Sequence, residues 1–164
     1  MEPTAHPGTR TLVVADWAID ADAVVAGCRA AGASRLELVV PAWLHGLDWV
    51  GDPFASVPCA ERQVDRVAQL CRAAGLEVVS ARVGDPDPLS AICDAVAAGA
   101  ADRILLFARG RHASAAYPLS VARRAERLSG LAVRSFAAAP TARVHRRLRV
   151  AGGHCEIAPR PQVA

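Results

Sequence analysis

Four stretches of helical spacing each stop at a glycine, Gly32, Gly75, Gly99 and Gly130, and short apolar runs lie before, between and after them. That rhythm is a β/α alternation. The strand candidates are Thr11 to Ala15, Leu36 to Val40, Leu76 to Ala81, Ile104 to Ala108 and Leu131 to Phe136, all rich in Val, Leu or Ala and too short for buried helices. Helices between consecutive strands leave the strands parallel, and right-handed crossovers then distribute the helices over both faces of one sheet. The sequence therefore predicts an α/β fold with a five-stranded parallel sheet and helices on both faces, for which the order 3-2-1-4-5 is taken.

Each helix carries its own punctuation. The first starts at Asp20 or Asp22, whose carboxylates can cap free backbone N–H groups, and turns Val24, Val25, Cys28 and Ala31 inward. The second starts near Pro58 and carries Val64, Val67, Ala68 and Cys71 at helical spacing. In the third, Gly84-Asp85-Pro86-Asp87-Pro88 breaks the strand, Asp87 caps, Pro88 fits the first turn, and Leu89, Ile92, Cys93 and Val96 face inward. The fourth runs from about Pro118 to Ser129, with Val121, Ala125 and Leu128 inward and Arg123, Arg124 and Arg127 outward.

Composition narrows the function classes. The 164 residues are 52% hydrophobic but only 4% aromatic, enough for one domain whose core is built from aliphatic side chains and alanine. All 19 basic residues are arginine, so no P-loop lysine, Schiff base or lysine general base is available. The net charge of +3 divides unevenly: residues 1–136 hold 14 Arg against 15 acids, and residues 137–164 hold 5 Arg against one Glu. A nearly neutral body lacks the broad basic footprint of a phosphate-backbone binder, so nucleic acid is not the expected partner. The five cysteines form no CxxC pair, and Cys28, Cys71 and Cys93 fall on apolar helix stripes, as reduced thiols in a cytoplasmic protein would. Neither a signal-like h-region nor a membrane-length apolar run is present.

Three segments are distinguished: an arm at 1–10, the α/β domain at 11–136, and a basic tail at 137–164 whose Pro, Gly and Arg show little periodicity and suit a mobile or partner-ordered segment. Within the domain, residues 41–57 form a long connection holding Trp43, His45, Trp49 and Phe54, a candidate lid or partner surface.

In an open parallel sheet, ligands collect beyond the carboxyl ends of the strands where strand order reverses. For the order 3-2-1-4-5 that point lies between the first strand, ending in Ala15-Asp16-Trp17, and the fourth, ending in Ala108-Arg109-Gly110-Arg111-His112. Asp16 is placed to accept from a ribose or adenine, Arg111 to pair with a phosphate, and the fourth helix to offer backbone N–H groups. Each residue also has a structural reading, Asp16 as a cap on the crossover, Gly110 as a turn, and Arg109 and Arg111 as solvated loop residues. His154-Cys155 lacks metal-ligand spacing, Asp85 and Asp87 read as a turn and cap, and no GxSxG, HExxH, P-loop or GxGxxG occurs.

Taken together, Leu12-Val13-Val14-Ala15-Asp16, Leu38-Val39-Val40-Pro41, Gly84-Asp85-Pro86-Asp87-Pro88-Leu89 with Ala91-Ile92, and Asp102-Arg103-Ile104-Leu105-Leu106 resemble a universal stress protein domain over about Thr11 to Phe136. The family's ATP-binding members share an aspartate after the first strand, matched by Asp16, and a G-x2-G-x9-G-[S/T] loop after the fourth. Gly110 matches the first glycine of that loop, but Ala113 stands in place of the second, the spacing is shorter, and Leu119-Ser120 replaces the Gly-Ser pair. The resemblance is thus to the branch with a degenerate loop. It implies a non-enzymatic stress-response or regulatory domain without a cofactor, paired as a homodimer through its last strand. The alternatives are a true ATP- or AMP-binding member, or an adaptor docking through the 41–57 loop and the tail. The candidate ligand-binding set is Asp16, Val40, Arg109, Gly110, Arg111 and Ser120, with no catalytic residue and no metal ligand.

Overall fold

The apolar runs become strands and the punctuated stretches become helices in a computed structural model that describes residues 9–44, 52, 54–99, 101–113 and 118–138, with the side chains of Arg111 and Ala138 outside the description. The elements are β1 (Arg10–Ala15), α1 (Ala21–Ala30), β2 (Arg35–Pro41), α2 (Val57–Ala73), β3 (Glu77–Gly84), α3 (Pro88–Ala98), β4 (Arg103–Arg109), a 3₁₀ turn (Gly110–His112), α4 (Val121–Ser129) and β5 (Ala132–Ala138). All strand pairings are parallel, and the sheet order is β3-β2-β1-β4-β5. The expected α/β class and strand order are those of the structure. His45, Trp49, the rest of the 45–51 stretch and nearly all of the 137–164 tail lie outside the described residues; Ala137 and Ala138 continue β5.

β1, β2 and β4 are buried on both faces, which is why they read as continuous apolar runs rather than as alternating ones. One face packs Val13, Leu36, Leu38, Val40, Leu105 and Phe107 against α1 and α2. The other packs Leu12, Val14, Val39, Ile104 and Leu106 against α3 and α4. The edge strands β3 and β5 carry more exposed positions, as one side of each has no strand neighbour among the described residues.

Helix starts follow local chemistry. Asp20 caps α1 by accepting from Asp22 N–H, and Asp87 caps α3 by accepting from Ser90 N–H. The fourth helix begins later than expected, at Val121, because the Ser120 side chain takes the cap position and accepts from Arg123 N–H at 3.2 Å. Gly130 ends it in the left-handed conformation at φ 70°, which only glycine adopts without strain.

Two helix faces differ from the expected ones. In α3 the buried positions are Pro88, Leu89, Ala91, Ile92 and Ala95, and Cys93 is exposed. In α4 they are Val121, Ala122 and Ala125, and Leu128 is 63% exposed. In α3 the reason is close approach to the sheet at Ala91: a Cβ added at Gly84 of β3 would lie 2.8 Å from the Ala91 Cβ and 2.7 Å from Val39 Cγ1. A larger side chain at Ala91 would not fit between α3 and the sheet.

Candidate functional site

The strand order puts the carboxyl ends of β1 and β4 side by side, with Ala15 in register with Phe107. The backbone N–H of Asp16 donates to the Phe107 carbonyl at 2.9 Å, so the residue just past β1 is still fixed by the sheet. Its side chain is 1% exposed. Oδ1 accepts from Ala18 N–H at 3.0 Å, closing a local turn, and Oδ2 meets Arg109 Nε at 3.0 Å. The Arg109 side chain is 39% exposed, so the pair has a buried acid and a half-exposed cation.

A carboxylate removed from water needs a cation and hydrogen bonds, and Asp16 has both from its own chain. The acid that the sequence offers to a ligand's donors is thus engaged by Arg109, whose side chain is partly exposed.

The other candidates are placed as follows. Val40 is fully buried in the α1/α2 face of the core. Gly110 opens the 3₁₀ turn at φ +57° and accepts from Ala113 N–H at 3.3 Å; Ala113 is buried against the α3/α4 face. Arg111 occupies the middle of that turn by its backbone. Ser120 is 1% exposed and its hydroxyl serves the α4 cap. Asp16, Arg109 and the Gly110–His112 turn are thus gathered at the switch point, whereas Val40 belongs to the core and Ser120 to the helix start.

Sequence reasoning set Trp43 apart in a candidate lid or partner surface but did not join it to Trp17 and His112. Trp17 Nε1 donates to the Trp43 carbonyl at 2.7 Å, joining the segment after β1 to the segment after β2. The Trp43 ring meets His112 edge to face, with centroids 5.1 Å apart and planes at 67°. Trp43 also packs on the α3/α4 core. The signal lay in its position two residues beyond the end of β2, at the same sheet edge as Asp16 and Arg109. Ser56 Oγ donates to the Ala42 carbonyl, tying the far end of the 41–57 connection back to its start.

No group of three or more His, Cys, Asp or Glu side chains is arranged to hold a metal ion among the described residues, and no described helix is long and apolar enough to cross a membrane. Comparison of the chain with protein-family models and with curated proteins finds no match.

Proposed function

We propose that this chain is a non-enzymatic stress-response or regulatory domain of the universal stress protein kind, with an altered nucleotide site, acting in the cytoplasm as a homodimer joined at β5. The observation that carries the reading is the buried Asp16 carboxylate bonded to Ala18 N–H and Arg109. Asp16 is 1% exposed and already accepts from Ala18 N–H and Arg109 Nε, so a nucleotide donor reaches it only by opening the site. Displacing Arg109 to do so would weaken binding by about one to two powers of ten, since hydrogen bonds to charged groups are worth about 1.5–3 kcal/mol each. Ser120 is 1% exposed with its hydroxyl oxygen accepting in the α4 cap, so its O–H reaches a phosphate only if the start of the helix moves.

Calorimetry with ATP, ADP and AMP tests this directly. No binding tighter than high micromolar is expected. Low-micromolar binding that disappears in Asp16→Ala and Arg111→Ala would establish the adenine-nucleotide reading instead.

The homodimer is supported by β5 lying at the sheet edge, with Phe136 stacked on Phe107 at 4.6 Å and the Arg134 guanidinium 5.4 Å from the Phe136 ring centre. Light scattering at tens of micromolar should give twice the monomer mass, and a monomer there refutes it. The adaptor reading is favoured by one observation, Phe54, 69% exposed beside the anchored end of the 41–57 connection. Pull-down losing a defined partner on Phe54→Ser, with the dimer intact, would favour it.

A further inference from the structure

The ring of Phe136 turns one face to the open edge of the sheet. Phe136 stands in register with Phe107 of β4, and the two rings are stacked at 7° with centroids 4.6 Å apart, close to the ~4.8 Å that separates neighbouring strands. The stack therefore runs across the sheet. One face of the Phe136 ring rests on Phe107, and the other looks toward the side of β5 that has no strand neighbour among the described residues. The exposed Arg134, two residues earlier on the same face of β5, holds its guanidinium carbon 5.4 Å from the centre of that ring. We propose that in the homodimer the two β5 strands pair antiparallel about a two-fold axis at Ser135, so that the Arg134 guanidinium of each copy leaves its own ring and stacks on the partner's Phe136.

This register rests on the β5 homodimer proposed above, and the strand itself selects it. A two-fold axis perpendicular to a continuous sheet keeps every side chain on its own face, so opposed residues share a face and the axis runs through one residue. β5 spans seven residues, Ala132–Ala138, whose middle is Ser135. An axis there opposes the whole strand to its copy: Ala132 to the partner's Ala138, Val133 to the partner's Ala137, and Arg134 to the partner's Phe136. Other registers are poorer. An axis at Arg134 sets two guanidinium groups directly opposite each other, where like charges destabilise. An axis at Val133 opposes Phe136 to the partner's Gly130, which ends α4 rather than extending β5. An axis at Phe136 or later brings Pro140, which has no N–H to give, into the ladder.

The groups are already placed for the contact. Directly opposed residues of antiparallel strands hold their Cβ atoms about 4.5–5.5 Å apart, so a guanidinium on the added strand reaches the outer face of Phe136 within the ~6 Å of a cation–π contact. Phe107, Phe136 and the partner's Arg134 then form one stack across the interface, and the two-fold axis repeats it. A charge on an edge strand ordinarily blocks pairing with another chain. At this position it becomes attractive in one register and repulsive in the next, so Arg134 selects how the copies meet.

The test mixes full-length Arg134→Ala and Phe136→Leu chains until subunit exchange is complete and counts the dimers by native mass spectrometry. The mixed dimer keeps one Arg134–Phe136 contact and each variant homodimer keeps none. The squared heterodimer concentration over the product of the two homodimers should therefore exceed its statistical value of four by at least about fivefold. Losses inside either copy, the Phe107 stack included, cancel in this ratio. Arg134→Ala mixed with the parent chain should give four. A variant ratio of four or less, or an excess with the parent that reports arginine–arginine repulsion, overturns the register and leaves the homodimer standing; a monomeric parent overturns both. A second measurement covers a variant that fails to dimerise. In a Cys59→Ser/Cys93→Ser/Cys155→Ser chain, Ser135→Cys should close an intermolecular disulfide under mild oxidation and Val133→Cys should not, because only residue 135 meets its own copy. The reverse pattern, or no link from Ser135→Cys in a dimeric chain, also overturns the register.

Discussion

Gly27 should be intolerant of a single methyl group although it lies inside a helix, where alanine is normally the better residue. A Cβ at this position of α1 would stand 2.4 Å from Phe107 Cε1, 2.7 Å from Phe107 Cζ and 3.4 Å from Phe136 Cδ1. Carbon atoms pack at about 3.5–4.0 Å, so relief requires the ring or the helix to move by about 1 Å. Phe107 is 2% exposed and is backed by Phe136, stacked nearly parallel at 7°. The ring therefore cannot yield without disturbing the β4–β5 aromatic pair. Overpacking of this kind costs about 1–3 kcal/mol, and the helix-propensity gain of Gly→Ala returns about 1 kcal/mol. The net expectation is a loss of up to about 2 kcal/mol, or a fall in melting temperature of up to about 8 °C for a domain of this size. Urea unfolding of Gly27→Ala measures it, and Phe107→Leu in the same background checks the cause. If the contact is responsible, the second substitution costs at least about 1 kcal/mol less in the alanine background than in the parent. A stabilised Gly27→Ala, or strict additivity of the two changes, would refute close helix–sheet approach as the reason for this glycine.

Arg109→Ala removes the guanidinium bonded to the buried Asp16 carboxylate; because the arginine is 39% exposed and water can partly replace it, the expected loss is about 1–3 kcal/mol in urea unfolding, partly restored by adding Asp16→Asn. Unchanged stability would show that the pair contributes nothing at the crevice. Ser120→Ala removes the α4 cap and should cost about 1 kcal/mol, whereas Ser120→Thr retains most of it; equal losses would mean that packing rather than capping fixes the residue. Truncation after Ala139 keeps all of β5 and is expected to move the melting temperature by less than about 2 °C, while a collapse would show that residues 140–164 are needed by the fold.

Local chemistry was legible in the chain itself. Asp20 and Asp87 cap the helices they precede, Gly130 stops α4 with a positive φ, and the runs at Thr11, Leu36 and Ile104 are strands because a fully buried parallel strand must be apolar on both sides. These features depend on residues within a turn of one another. The strand order taken for the sequence is that of the structure, one of the few topologies that alternating strands and helices admit. What the tertiary structure alone decided is which face each helix presents and which charges meet. Of the stripe Leu89, Ile92, Cys93 and Val96, Leu89 and Ile92 are buried as expected, but α3 approaches Val39 and Gly84 through Ala91 and leaves Cys93 in solvent. On α4, Leu128 is exposed. Asp16 and Arg109 lie 93 residues apart. Their pairing follows from the sheet and helix-layer geometry that brings those elements together, and no periodicity in the sequence encodes it.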